Sequence, residues 1–347
     1  MLVSKQALNE IEKFYCSEIK FYKMYASDYR DTSLVEKWHF SFANGENLFL
    51  YLKQYRKDYY SNFSEICLKE FELANKFKNI FDGVDYFNVV IPIFAIPCEG
   101  VLVSEEAVGT DVFSLSLSLS NRYFKIEFLK NIYRLSGQGL NIFHDEYKEV
   151  GTFCFDEYIS YVDVRLRKLI ELGTPYFNEA DANTIKGYIS EQKKALNGIS
   201  VMTSMIHGDY IPPNLIYNQG KIYLLDFLQC RHGAIIDEIC YFLVFCHVQS
   251  SLLGGKYWTS LAQEFVSGYG QSVKTAELPL AHLFYLKHLL NYLLRTSYWF
   301  QSGELGSIKS RYHIIRFRIL KQKVLSHCLS NAPSPSIGGV KVNVSKN

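Results

Sequence analysis

The clearest hydrophobic pattern lies past the middle of the chain. Met205-Ile206 makes an apolar, β-like entry, His207-Gly208-Asp209 begins a tight polar loop, and Leu215-Ile216 makes an apolar exit. Gln219-Gly220 is turn chemistry, and Lys221–Leu225 is a second apolar strand ending on Asp226, so the two strands are predicted to pair as a hairpin. Upstream, Val35–Phe42 alternates as a strand, Asn44-Gly45 signals a hairpin and Leu48–Tyr55 returns, with further strands over Val89–Ala95 and Gly100–Ser104. Val3–Tyr25 is of mixed helix and strand character. Ser64–Phe81, Asn121–Leu135, Asp156–Leu172 and Asp181–Leu196 have helical spacing, the last three set apart by the turn-rich Ser136–Gly139 and Gly173–Pro175. Near the end, Ile308, Tyr312, Ile315 and Ile319 form one apolar stripe beside a basic side of Arg311, Arg316, Arg318, Lys321 and Lys323, read as a solvated face. Asn331–Asn347, with its prolines and glycines, reads as a disordered tail.

The hairpin carries the candidate chemistry. Its pairing would bring Asp209, Asn214 and Asp226 to one rim, and carboxylate and carboxamide oxygens suit a hard cation such as Mg²⁺. In Leu50–Tyr55, parity places Lys53 on the face of Phe49 and Tyr51, opposite Leu50 and Leu52. On the following helix Glu70 shares a face with Leu73, Ala74 and Phe77, whereas Glu72 points with polar residues. A carboxylate among apolar neighbours needs a partner, which makes Glu70 the candidate to hold Lys53.

The order His-Gly-Asp, four residues, Asn, then a strand ending in Asp-Phe resembles the core of the aminoglycoside phosphotransferase and choline kinase family. That resemblance implies an α+β, two-lobe protein-kinase-like fold, with a small antiparallel-sheet N-lobe carrying one helix over 1–104, a crossover at 105–110 and a mainly helical C-lobe over 111–330. It implies transfer of the γ-phosphoryl group of ATP or GTP, with Mg²⁺, to a hydroxyl of a sugar, amino alcohol or similar metabolite. Asp209 would be the base, Asn214 and Asp226 the metal ligands, Lys53 the phosphate-binding lysine, and main chain near Glu105 and Ala107 the adenine contact. His207 would be structural in the loop. The family's acid that accepts hydrogen bonds from that loop falls on Asp237 or Glu238, Asp237 being preferred for its N-cap chemistry. No glycine precedes Gly45, so the G-x-G-x-x-G phosphate loop of protein-kinase type is missing over Asp31–Leu34, as it often is in aminoglycoside phosphotransferases; Leu228, after Asp226-Phe227, departs from common family forms. Phe113–Ser120 has the period of a strand, while its place in the family is that of a linker or short helix. Tyr158, Tyr161 and Arg165 are candidates for a substrate groove, set against an ordinary surface or core role.

Composition narrows the remainder. A chain of 347 residues, 48% hydrophobic and with only 8 prolines, can build two cores, and its net charge of +2 names no partner, so no nucleic acid is expected. The eight cysteines form no C-x-x-C pair, the N-terminus has charge where a signal peptide would be apolar, and Leu278–Phe300 carries His282, Lys287, His288, Asn291 and Arg295, too polar for a membrane span. A cytoplasmic enzyme is the expectation. Asp145, Glu146, Glu149, Asp156 and Glu157 are offset by many Lys and Arg, so a polycationic antibiotic is disfavoured as acceptor. A catalytically silent pseudokinase that binds nucleotide or a partner is the alternative, with a protein kinase behind it.

Overall fold

The computed structural model describes residues 4–30, 32–173, 176–250, 255–270, 273–274, 278–301 and 308–329, with residue pairs at 336–337, 340–341 and 344–345. The expected tail, the Thr174-Pro175 turn and Asp31 of the expected phosphate cover therefore lie wholly or mostly outside the described residues. Along the chain run α1 (Lys5–Tyr15), β1 (Ile19–Tyr29), β2 (Ser33–Phe42), β3 (Asn47–Tyr55), α2 (Phe63–Lys78), β4 (Phe87–Val89), β5 (Pro92–Ile96), β6 (Val101–Glu105) and β7 (Thr110–Asp111). Then come α3 (Val112–Leu117), α4 (Leu119–Phe124), α5 (Ile126–Asp145), β8 (Glu149–Thr152), α6 (Phe155–Glu171), α7 (Glu179–Leu196) and β9 (Ser200–Ile206). The chain continues through β10 (Leu215–Asn218), β11 (Lys221–Leu224), β12 (Arg231–Ala234), α8 (Ile235–Ser250), α9 (Gly255–Tyr269), α10 (Leu278–Gln301) and α11 (Ile308–Leu329).

These elements divide into two compact units, Met1–Val112 with Pro213–Cys230, and Phe113–Pro212 with Arg231–Asn347. Chain order alone assigns the β10–β11 hairpin to the second lobe. Its strands instead pair within the first unit, β11 in parallel with β4 and β10 antiparallel with β7.

The first unit is built on a five-stranded antiparallel sheet in the order β1-β2-β3-β6-β5. Period-two alternation sends Trp38, Phe40, Leu50, Leu52 and Val103 to one face, where Ala7 and Ile11 of α1 cover them. Tyr55 and Leu102 point to the other face and meet Cys67 and Phe63 of α2. The mixed character of Val3–Tyr25 is a real boundary: Ser4 caps α1 through the Ala7 amide, and Cys16, in the left-handed region at φ 48°, ends it before β1. Gly109, at φ 147°, closes the apolar strand's exit; a side chain there would strike the Tyr217 carbonyl.

The second unit is mainly helical, with a small sheet in the order β12-β9-β8. Phe113–Ser120 resolves into helix, not strand: Ser116 is the fully buried residue there and bonds the Tyr133 hydroxyl, while Leu117 and Leu119 face outward. The reading of Ser136–Gly139 as a separator is corrected, because these residues lie inside α5. Their small size serves packing. A Cβ on Gly137 would sit 2.1 Å from the Phe265 carbonyl oxygen of α9, and one on Gly268 of α9 would sit 1.9 Å from the Arg134 carbonyl oxygen of α5. The helices thus meet backbone to backbone. The stripe assigned to the last helix is also corrected: α11 buries His313, Phe317, Leu320, Val324 and Cys328, while Tyr312 and Ile315 are exposed. Its basic residues are partly engaged, Lys321 with Asp181 of α7 at 2.7 Å and Arg318 over the Tyr176 ring. No described helix is long and apolar enough to cross a membrane, and all eight cysteines are free thiols.

The glycine contact gives a direct test. Gly268→Ala is expected to lower unfolding stability by about 1–3 kcal/mol through overpacking, read as a lower urea midpoint with an unchanged slope, whereas Gly187→Ala, with open space around it, leaves the midpoint in place or raises it.

Candidate functional site

In the first unit the sheet brings Lys53 up from β3 to meet Glu70 of α2 and Asp226 at the end of the hairpin. The Lys53 ammonium lies 3.0 and 2.9 Å from the two Glu70 oxygens and 3.0 Å from Asp226 Oδ1. Lys53 and Glu70 are largely withdrawn from water, at 16% and 5% side-chain exposure, and Asp226 is partly open at 27%. Burial works against the charge on Lys53, but the two carboxylates more than offset it and hold its pKa above the ordinary lysine value. Burial likewise raises Glu70, with Lys53 countering that rise only in part.

Asp226 has φ 65°, a left-handed conformation that few side-chain-bearing residues adopt. Its turn follows directly from the hairpin register. Leu215 faces Leu224, and the Leu225 amide donates to the Asn214 carbonyl at 3.0 Å, so Asn214 and Asp226 flank the same end of the hairpin.

A cavity of about 210 Å³ opens beside this group. Lys53, Glu70 and Asp226 line it together with apolar Val35, Leu102 and Ile216, and Glu105 and Ala107 also border it. The expected adenine-contacting residues and the expected phosphate-binding residues therefore share one cavity in one unit. Sequence reading missed Arg30, which also lines the cavity from the β1–β2 turn and pairs with Asp28 at 2.8 Å. The position was legible as the turn that lacks glycine, but nothing local marked its arginine.

In the second unit the loop that opens with His207-Gly208-Asp209 follows β9 and is held from below. Glu238 accepts hydrogen bonds from the His207 amide at 2.9 Å and the Gly208 amide at 2.6 Å. The loop-anchoring acid is thus Glu238, and the preference for Asp237 is corrected. An N-cap argument selects the earlier residue, but the α8 helix faces decide otherwise: Asp237 turns toward α10, where Lys287 lies at 2.6 Å and His288 at 2.8 Å.

Glu238 is also bonded by His144 Nε2 at 3.0 Å, and His144 Nδ1 meets the Tyr269 hydroxyl at 2.9 Å. His144 lay in a helix and carried no local signal. His207 is buried, and its Nδ1 accepts from the Asp209 amide at 3.3 Å. Gly208 sits at φ 80°, where glycine is needed. Asp209 accepts a hydrogen bond from the Tyr241 hydroxyl at 3.0 Å. Of the groove candidates, Tyr158 is core and donates to the Leu283 carbonyl at 2.7 Å, whereas Tyr161 and Arg165 both bond Asn291 of α10.

The donor set suits a divalent cation. Among the described residues no cluster of three or more His, Cys, Asp or Glu is placed to hold a metal. A carboxylate and a carboxamide at one hairpin end suit a cation that takes most of its oxygens from water and phosphate.

Two buried carboxylates of the second unit, Asp237 and Glu238, favour acid-sensitive stability. Burial alone would raise Asp237, but His288 and Lys287 outweigh it and hold its pKa well below the usual range; for Glu238 burial is likewise outweighed by hydrogen bonds from His144 and the loop, which lower its pKa. Both folded-state pKa values lie below the unfolded ones, so their stabilisation is full above the ordinary carboxylate range. It is lost as pH falls toward the depressed values. Unfolding free energy is expected to drop steadily on acidification below about pH 4, and Asp237→Asn is expected to flatten that drop while lowering stability at pH 7 by roughly 3–5 kcal/mol.

No family model matches the chain, and no curated protein matches its sequence. Its fold has counterparts among solved structures. The amicoumacin kinase hAmiN, in complex with AMP-PNP and Ca²⁺, is 13% identical, with 90% of each chain covered and a TM-score of 0.56. Aminoglycoside phosphotransferase APH(4)-Ia is 11% identical, with 93% of this chain and 97% of that one covered and a TM-score of 0.55. The choline kinase LicA from Streptococcus pneumoniae is 17% identical, with 94% and 98% covered and a TM-score of 0.51. The chain has the α+β, protein-kinase-like fold of the aminoglycoside phosphotransferases and choline kinases.

Proposed function

We propose that this protein is a phosphotransferase that moves the γ-phosphoryl group of a nucleoside triphosphate to the hydroxyl of a small metabolite. The observation that carries this reading is the Lys53–Glu70–Asp226 array beside an apolar cavity. A lysine pinned between two carboxylates presents a fixed positive charge to phosphate, and the apolar walls suit a base. The solved counterparts act, by their names, on amicoumacin, aminoglycosides and choline, and one was captured with AMP-PNP. That supports a nucleotide donor and a small hydroxyl-bearing acceptor here.

In this reading Asn214 and Asp226 hold Mg²⁺, which would neutralise charge on the transferring phosphate. Lys53 binds phosphate oxygens, Glu70 positions Lys53, and Arg30 supplies a further cation where the glycine loop of other kinases is missing. Main chain at Glu105 and Ala107 meets the adenine edge. Asp209 orients the acceptor hydroxyl and takes its proton as the acceptor oxygen bonds phosphorus and the nucleoside diphosphate leaves. Tyr241 fixes the rotamer of Asp209. Glu238 and His207 keep its loop in shape. Cytoplasmic action on a metabolite fits the free thiols. A silent pseudokinase is the weaker reading, since the base and both metal-ligand positions keep their chemistry.

A ligand that binds only the folded state raises the melting temperature with its concentration. ATP or GTP with Mg²⁺ is expected to stabilise wild type and to do so much less in Asp226→Ala; no shift in wild type at millimolar nucleotide would overturn the reading. Asp209→Asn is expected to keep the shift and lose about 10²- to 10⁴-fold in turnover, measured as nucleoside diphosphate release. Unchanged turnover would remove Asp209 from the reaction.

A further inference from the structure

The counterparts named above include enzymes of cationic acceptors, choline and the aminoglycosides. The last two described helices of this chain are cationic. Neither α10 nor α11 carries an Asp or Glu, and both carry Lys and Arg. On α10, Lys287, Asn291 and Arg295 succeed one another at four-residue spacing and so form one line along the helix. Beside that line lies α6, whose Tyr161 hydroxyl bonds Asn291 Oδ1 at 2.9 Å and whose Arg165 Nε bonds the same oxygen at 3.2 Å. Arg165 also stacks on the Tyr161 ring.

The same helix reaches the base through Tyr241. His288, which precedes Asn291 by three residues, stacks on Tyr241 with ring centroids 4.6 Å apart, and Tyr292 stands 6.4 Å from the same ring. Tyr241 in turn holds Asp209. Burial raises the proton affinity of both Tyr241 and Tyr292 and the Asp209 charge adds to that rise, while the Arg295 charge opposes it in both. Arg295 is exposed, and Arg165 and Asn291 are half-buried, so this row of donors is open to solvent at one end and fixed at the other. The nearby acid Asp237 is already engaged by Lys287 and His288.

We propose that the acceptor is an alcohol bearing an anionic group, a carboxylate or a phosphate, bound by Arg295 and Arg165 with its hydroxyl presented to Asp209. Planar guanidinium donors are matched to such groups, and Asn291 holds one of them in place. An amino alcohol would place its cation against the same arginines, an arrangement that costs affinity. This inference rests on the phosphotransferase reading, and the transfer step is the one given above.

Isothermal titration of the full chain, preloaded with Mg²⁺ and a non-hydrolysable ATP analogue, tests it with four probes of similar size: glycerate, glycerol 3-phosphate, glycerol and ethanolamine. Binding of at least one anionic probe in preference to glycerol and ethanolamine is expected, and which anion wins separates carboxylate from phosphate. Arg295→Gln is expected to weaken that probe by about tenfold or more, Arg165→Gln to act in the same direction, and Arg295→Lys to recover part of the loss. Analogue affinity should be the same in all three variants. The proposal is overturned if ethanolamine or glycerol binds better than both anions, if no anion binds, or if anion affinity is unchanged in both glutamine variants. In each of those cases a wild type that still takes up the analogue keeps the phosphotransferase reading. A wild type that takes up no analogue ends that reading, and the anionic acceptor falls with it.

Discussion

A buried ammonium cannot exist without partners, and the first unit of this protein is arranged around that constraint. Lys53 is withdrawn from water between Glu70 and Asp226, and each of the three comes from a different element. The β2–β3 hairpin sets the parity that sends Lys53 away from the α1 core. The α2 helix turns Glu70 inward with Ala74 and Phe77. The β10–β11 register delivers Asp226 in a left-handed turn that a non-glycine residue holds only when its surroundings compensate. Removing any one partner strands a buried charge, so the ion group ties helix, sheet and hairpin together. The same requirement leaves Asp226 partly open, facing a cavity, with one oxygen on Lys53.

The second unit solves a different problem, that of holding a sharp loop still. Glu238 takes two loop amides and the His144 ring, so one buried carboxylate serves three donors from two segments. Burial would push such a group toward neutrality, and the donors keep it charged. Its neighbour Asp237 is equally buried but belongs to another network, with Lys287 and His288. Adjacent residues on one helix thus anchor the loop and α10 separately. Close packing of α5 on α9 keeps His144 and Tyr269 in place, and Gly137 and Gly268 permit that approach.

Much of this was legible in the sequence where local pattern and tertiary need agree. Period-two alternation located β2, β3, β5 and β6 and placed Lys53 opposite Leu50 and Leu52, and helical spacing separated Glu70 from Glu72. Sequence reading failed where long-range packing overrides local preference. Ser136-Gly-Gln-Gly139 looks like a turn because glycine is costly in a helix, and it is helical because α9 lies against it. Asp237 looks like the loop anchor because it has cap chemistry, yet helix rotation gives that role to Glu238. Ile315 looks like core, but the face of α11 that packs is the one carrying Phe317 and Val324. His144 acts through Glu238, 94 residues away, and no spacing announces it; nothing local marks Arg30 as a residue of the cavity lining.

The central claim is that Asn214 and Asp226 hold a divalent cation next to a nucleotide phosphate bound by Lys53. Crystals grown with Mn²⁺ and a non-hydrolysable ATP analogue test it most directly, through the anomalous signal of the metal. One strong peak is expected within coordination distance of the Asp226 carboxylate and the Asn214 carboxamide oxygen, about 2.0–2.3 Å, with the triphosphate on its far side and reaching Lys53. A peak away from both side chains, or a nucleotide bound outside the cavity bordered by Glu105 and Ala107, would contradict it.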